Sequence, residues 1–359
     1  MHSAEGSLMA DGDHGWQPAC PPQASHDAER ITLAYGEGGR LTRRLIHERI
    51  VRRFGGETLA ALGDAAVIDF PPGRMAITTD GYTVTPLFFP GGDIGRLAVF
   101  GTINDLVVSG ARPRALSLAM VIEEGLPWAM LDRVLDSVRD ALDITGVSLV
   151  TGDTKVVPRG AADRLFLTTT GIGEVVFPMP GPAGLEVGDA ILVSGPIGRH
   201  GAAVLCSRED FGFDPPPVSD CGSLLPPIEA LWQAGVPVKC LRDATRGGVA
   251  AVLHEWAIQS GLGLTIDASH IPVTPHVRAV CELLGLDPLH LACEGTFVAA
   301  VDSKHAPLAV EILQAHGCDA ATFIGEVTCA RSTPVRIRAA SGREIPLDEP
   351  AGSPLPRIC

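Results

Sequence analysis

Residues 89–113 read FPGGDIGRLAVFGTINDLVVSGARP, and the fold turns on the middle of this stretch. From Gly95 to Ala111 almost every side chain is apolar or small, a pattern that predicts a helix with small residues on its packing face. Asn104 and Asp105 stand out inside it as polar residues on an otherwise apolar segment. The glycines before it and the Gly-Ala-Arg-Pro after it punctuate both ends. What lies on either side decides what such a helix packs against.

Outward from this helix the patterns alternate. DAAVIDF (64–70) and MAITTDGYTV (75–84) precede it as short β-like runs, and RALSLAMVI (114–122) follows as a strand. PWAMLDRVLDSVRDALDITG (127–146) is amphipathic, with Pro127 near its start and Gly146 at its end, as a helix requires. VSLVTGDTKVV (147–157) and RLFLTTTGIGEV (164–175) are strands, and FPMPGPAGLEVGD (177–189) is a linker. A second alternating half then begins at AILVSG (190–195). It includes strand, loop and helix in VPVKCLRDATRGGVAAVLHEWAIQSG (236–261), and ends in strand, helix and strand over 295–327. The expected class is α/β (α+β) with two units of similar size. The divisions are a leader at 1–28 without periodicity, a first unit at 29–178, a second at 179–340 and a tail at 341–359.

The chain has 359 residues, 46% hydrophobic but only 5% aromatic, so its core is built from Ala, Val, Leu and Ile. A net charge of −14 gives no footprint for nucleic acid and no attraction to anionic membranes. The nine cysteines are scattered without a C-x-x-C pair, which argues against a zinc knuckle and for a reducing compartment. No apolar run reaches membrane-spanning length. The expected location is the cytoplasm.

Four acidic motifs stand in the first half: Asp64 in LGDAAV, Asp80 in TTDG, Asp105 in TINDLVV and Asp153 in VTGDTKVV. Each is either a turn residue or one of several carboxylates converging on Mg²⁺, an ion that combines carboxylates with substrate phosphates and water. There is no Walker-type phosphate loop. Gly38 and Gly39 in YGEGGR, and Thr245 and Arg246 in RDATRGGVAAVLHE, open helical patterns, where free backbone N–H groups either receive an anion or are simply capped. Lys155 lies in a strand that reads as buried, two residues from Asp153 on the same face. Glu294 in LACEGTFVAAV is either a base of raised pKa or a turn residue at a strand start. The tail, with Pro346, Pro350, Pro354 and Pro356, ends in PRIC, and polyproline-like backbone extends roughly 3 Å per residue. About ten such residues would carry the thiol of Cys359 some 30 Å. A terminal cysteine is either an accident of a tolerant chain end or a thiol presented to a pocket.

The stretch at 89–113 resembles the signature of the aminoimidazole-ribonucleotide-synthetase-like superfamily of ATP-using enzymes. Together with LAYGEGGRLTRRLI, TGDTKVV, RDATRGGVAAVLHE, ACEG and the terminal PRIC, it looks like the HypE carbamoyl dehydratases of [NiFe]-hydrogenase maturation, over about residues 31–359. Tyr35 departs from the pattern, which has His in that place. The resemblance implies two α/β domains, the first (29–178) binding ATP and giving strands to a β-barrel shared in a homodimer, and a mobile tail. It implies that Cys359 accepts a carbamoyl group from the carbamoyltransferase HypF. ATP then activates the amide oxygen, and its loss leaves a thiocyanate whose cyano group passes to the HypC–HypD complex. Glu294 is the implied base, and Lys155 the residue that orients or polarises the thiocarbamate. Asp64, Asp80, Asp105 and Asp153 are the implied Mg²⁺ ligands, with Asn104 beside them. Gly38 and Gly39 fall in a phosphate-covering segment, and Asp243, Thr245 and Arg246 around the same cleft. The alternatives are a relative with a diffusible substrate, such as a selenophosphate synthetase, and a non-catalytic maturation scaffold.

Overall fold

A computed structural model describes residues 30–36, 40–60, 65–66, 68–350 and 358–359. The leader, Gly38, Gly39 and Asp64 lie outside the described residues. In the first half, α1 (Arg40–Leu45) runs into a π-helical turn (Ile46–Val51), followed by α2 (Arg52–Phe54) and α3 (Glu57–Ala60). Strand β1 (Met75–Tyr82) comes next, then a two-stranded ribbon of β2 (Phe88–Phe89) and β3 (Gly92–Asp93), then helix α4 (Ile94–Val108). Strand β4 (Ala111–Glu123), helix α5 (Trp128–Thr145) and strands β5 (Ser148–Val157) and β6 (Leu165–Val175) complete this half.

The second half contains β7 (Ala190–Val193), α6 (Arg199–Arg208), α7 (Leu225–Gln233), β8 (Val238–Asp243), α8 (Gly248–Ser260) and β9 (Gly263–Asp267). It continues through α9 (Pro275–Leu284), β10 (Phe297–Val301), α10 (Ala306–Ala315), β11 (Thr322–Thr328), β12 (Val335–Arg338) and β13 (Glu344–Pro346). The first half forms a four-stranded sheet in the order β1-β6-β4-β5, and the second a seven-stranded sheet in the order β13-β12-β9-β11-β7-β10-β8. Among the described residues no helix is long and apolar enough to cross a membrane.

Local chemistry explains the boundaries. Helix α5 buries Leu131, Val134, Leu135, Val138, Ala141 and Leu142, a stripe at helical spacing. It stops at Gly146, whose φ of 67° is left-handed and whose N–H returns to the Leu142 carbonyl at 2.8 Å. Helix α4 starts at Asp93, whose carboxylate receives the N–H groups of Gly95 and Arg96 at 2.8 and 3.2 Å. All of α4 is buried except Arg96 and Asp105. It packs on the sheet through β1, β4 and β6, against α5, and against α7 and β8 of the second half. Asn104 ties the halves together: its amide donates to the Gly222 carbonyl at 2.9 Å, and its oxygen accepts from the Leu224 N–H at 2.8 Å.

Two expectations meet a different structure. Strand β5 is an edge strand, and the Lys155 side chain is 64% exposed rather than buried. The stretch read as a tail begins inside the fold. Glu344–Pro346 extends the second sheet beside β12. His254 then bonds the Leu347 carbonyl, and His290 the Asp348 carbonyl, each at 3.1 Å.

Close packing at the α4–α5 crossing sets a limit on Gly95, where an added Cβ would come within 2.5 Å of the Val134 carbonyl oxygen. Gly95→Ala is expected to lower stability by about 1–3 kcal/mol, since neither backbone can yield cheaply. Urea denaturation of the two proteins measures it.

Candidate active site

Asp80, Gly81, Tyr82, Gly101, Asp105, Arg242, Asp243, Thr245, Arg246, Glu294 and Cys359 line one cavity of about 200 Å³. Four elements and the chain terminus supply them. Asp80 and Tyr82 come from β1, Asp105 from α4, and Asp243 from the end of β8, which leads into the Thr245–Arg246 turn before α8. Glu294 stands between the turn at Pro288–His290 and β10. The turn before α8 is tight: Gly248 has a φ of 60°, and a Cβ there would meet the Leu289 carbonyl at 2.5 Å.

The terminus reaches this cavity. The Ile358 side chain is 5% exposed and joins the core cluster. Its carbonyl oxygen accepts from His200 Nε2 at 2.5 Å. The Cys359 oxygen receives the Thr83 N–H at 3.0 Å and the Thr83 hydroxyl at 3.3 Å. With its backbone held on both sides, Cys359 presents the thiol to the acidic residues.

Those acids crowd one another. Burial, then the nearby Asp243 and Asp80 carboxylates, push Asp105 up to about 7, against a hydrogen bond from Thr78 at 2.8 Å. Burial also pushes Asp243 up to about 6. Glu294 is raised well above the usual carboxyl range, first by burial and then by Asp243, Asp220, Asp105 and Asp80. The thiol of Cys359 is raised to about 11 by burial and by Glu294, with Arg246 acting against the shift. In this docked state the thiol is uncharged.

The cavity unites Asp80, Asp105, Asp243, Thr245, Arg246, Glu294 and Cys359, all singled out from the sequence. Asn104 is buried and engaged with the loop before α7. Asp153 and Lys155 pair with each other at 3.4 Å on β5. Register places Lys155 level with Val121 of β4, three strands from β1, which is roughly 14 Å across the sheet at about 4.8 Å per strand. Within one chain they do not face the cavity. Asp153 instead lines a separate cavity of about 320 Å³ with Arg43, Thr58, Met120 and Thr154. Thr83, His200, Asp220 and Tyr82 were not singled out from the sequence. For Tyr82 a signal existed, since it follows Asp80 at the same strand face.

The carboxylates suit a cation in part. Burial, then Asp243 and Asp80, raises Asp105, and burial, with Asp80 adding to it, raises Asp243 against the pull of Arg242. Yet among the described residues no three His, Cys, Asp or Glu side chains form a ready-made metal cage. Such a donor set fits Mg²⁺ completed by phosphate and water better than an all-protein site.

Raised carboxyl pKa values mean that the folded chain keeps protons which the unfolded chain has released. This stabilisation is present at low pH and disappears as pH rises from about 4, the unfolded value, to about 7 for Asp105. The ligand-free protein is expected to melt about 1–2 °C higher at pH 6 than at pH 8, for about 1 kcal/mol. Asp105→Asn should remove much of that difference in a pair of thermal scans.

Comparison with known proteins matches this arrangement. Residues 62–175 match the family model "AIR synthase related protein, N-terminal domain", and residues 186–337 match its C-terminal counterpart. The chain is 46% identical over 338 residues to carbamoyl dehydratase HypE of Escherichia coli K12, spanning 92% of this chain and 99% of that one. The crystal structure of hydrogenase maturation protein HypE in complex with ATP superposes with a TM-score of 0.88 at 43% identity, covering 92% of this chain and all of that one. A HypE chain from a HypE–HypF complex superposes at 0.75 and 43% identity, covering 85% and 99%.

Proposed function

The chain belongs to the HypE family of carbamoyl dehydratases, and from this premise we infer how its own residues carry out the ATP-dependent dehydration of an S-carbamoyl group on Cys359. The observation that carries the reading is the position of that terminal thiol, in one cavity with Glu294, Asp80, Asp105 and Asp243. A superfamily enzyme with a diffusible substrate has no use for such an arrangement. A scaffold has no use for the carboxylates.

The cycle begins outside the cavity. A docked thiol with a pKa of about 11 is a poor nucleophile, so loading by a carbamoyltransferase takes place with the tail undocked. The donor is a HypF-type partner, as the complex formed by a relative supports. Once docked, the thiocarbamate oxygen is phosphorylated by ATP, because an amide oxygen must become phosphate before it can leave. One N–H proton departs as the C–O–P linkage forms. The second departs as the C–O bond breaks and C≡N forms, giving thiocyanate, ADP and phosphate.

Glu294 is the base in this reading. It is buried beside the thiol, and its raised pKa matches a group that takes up a proton. Arg246, exposed at the turn before α8, provides positive charge for phosphate oxygens. Asp80, Asp105 and Asp243 would hold Mg²⁺, which when bound neutralises phosphate charge; Asp64 belongs to the proposed set, and Asp153, which lines a separate cavity in its own chain, would join it only from a second copy. The buried Ile358 anchors the terminus beside the cavity that Cys359 lines, and a docked terminus would limit water, which would hydrolyse the activated group. The cyano group then passes to a HypC–HypD acceptor.

Lys155 enters only with a second copy. Among the described residues β1 and β5 each pair with a neighbour on one side only, and β1 exposes Met75 and Ile77 at 55% and 65%. Such edges favour pairing into a shared barrel, so the proposed unit is a homodimer. The described cysteines are free, in keeping with a cytoplasmic location.

Intact mass of the C-terminal peptide tests the chemistry. Incubation with a carbamoyltransferase and carbamoyl phosphate should add a carbamoyl mass to Cys359, and Mg-ATP should then remove one water. Glu294→Gln should load normally and slow the loss of water by at least about 100-fold, the range for a general base. Loss of water from Glu294→Gln at the wild-type rate would reassign the base.

A further inference from the structure

His200, the second residue of α6, has no exposed surface, and Phe89 meets its ring edge-on with centroids 5.3 Å apart. Its Nδ1 lies 2.9 Å from Ser219 Oγ, and its Nε2 lies 2.5 Å from the Ile358 carbonyl oxygen. A carbonyl can only accept, so Nε2 carries the proton and Nδ1 accepts from the Ser219 hydroxyl. Ser219 Oγ is itself fixed by the Cys221 N–H at 3.0 Å. The Ser219 N–H donates to the Pro90 carbonyl at 2.8 Å, and the loop lies so close to Gly91 that a Cβ there would come within 2.6 Å of the Ser219 carbonyl.

The next residue, Asp220, turns the other way. Its carboxylate receives the N–H groups of Glu294 and Gly295, both at 3.1 Å, and the Thr296 hydroxyl at 3.0 Å. At Gly295 there is no room for a side chain: a Cβ would stand 1.8 Å from the Asp220 carbonyl oxygen. Two consecutive residues thus hold the histidine beneath the terminus and the backbone beneath Glu294.

We propose that His200 is a positioning residue for the dehydration, gripping the Ile358 carbonyl with a tautomer set by Ser219, so that the Ser219–Asp220 pair places Cys359 and Glu294 in register. This rests on the reading of Cys359 as the carrier. The grip itself is a property of the free chain, and it can be measured without any reaction.

The first experiment is alkylation of the full-length, ligand-free protein by iodoacetamide, followed by peptide mass. Cys359 should react slowly in the wild type and at least about tenfold faster in His200→Leu, while the fully buried Cys293 stays unreactive in both. His200→Gln, which keeps an N–H donor, should fall between them. Equal Cys359 rates in wild type and His200→Leu would overturn the proposal. If Cys293 also becomes reactive in His200→Leu, Ser219→Ala decides instead: faster labelling of Cys359 alone supports the grip, and an unchanged rate overturns it. The second experiment is a single turnover on carbamoyl-loaded protein. His200→Leu should load like the wild type and lose water at least about tenfold more slowly; loading and dehydration slowed equally would overturn the positioning role. A wild type that accepts no carbamoyl group would instead refute the carrier reading and leave the alkylation result standing.

Discussion

The enclosure of α4 is the constraint from which the site follows. A helix that is apolar on every side has no face to give to water, so something must cover each of its flanks. Here the first sheet covers one flank, α5 another, and α7 with β8 of the second half a third. The two halves therefore meet along α4, and Asn104 locks that contact with two hydrogen bonds to the loop before α7. Asp105, one residue further on, is brought to where β1 and β8 deliver Asp80 and Asp243. The acidic cavity is a by-product of how a water-avoiding helix is covered.

The cavity crowds acidic groups together, and Arg242 and Arg246 offset them only in part. Carboxylates from three elements share a space with a buried Glu294, and burial together with these neighbours makes Asp105, Asp243 and Glu294 harder to ionise. Folding energy is spent to keep like charges together, which is the mark of a site organised for a charged reactant. Burial, with Glu294 adding to it, keeps the thiol neutral while it is docked. Loading and dehydration thus ask for opposite environments: a thiolate in water for the first, a dry pocket for the second.

Much of the architecture was legible because it rests on short-range rules. Pro127 and Gly146 bracket α5, and the alternation of β4 and the helix after RDATRGG appear where the patterns place them. Asp80 and Glu294 were legible as carboxylates next to glycine and Asp105 as a polar residue in an apolar helix, whereas Asp243, Thr245 and Arg246 were assigned to the cleft through the family resemblance. What escaped depends on partners far away in the chain. His200 was invisible because its partner lies 158 positions away, and Asp220 because its value lies in backbone N–H groups more than seventy residues on. Lys155 misled for another reason: alternation within a strand is the same at a sheet edge as at its centre, and only the strand order β1-β6-β4-β5 shows that β5 is an edge. The proline-rich terminus was read as an extended carrier, and residues 351–357 lie outside the described residues; nothing in it signalled the fixed root, where His254 and His290 hold the Leu347 and Asp348 carbonyls.

That fixed root has a kinetic consequence. Eleven residues, 349–359, separate the pinned Asp348 from the chain end, so the reactive group is supplied at a local concentration set by tether length rather than by the surroundings. Such an enzyme has a Michaelis constant for ATP but none for its thiocarbamate. Dilution leaves the dehydration step unchanged and slows only reloading and hand-over. Each molecule is a one-shot device between visits from its donor and its acceptor, and its output is counted in chain ends.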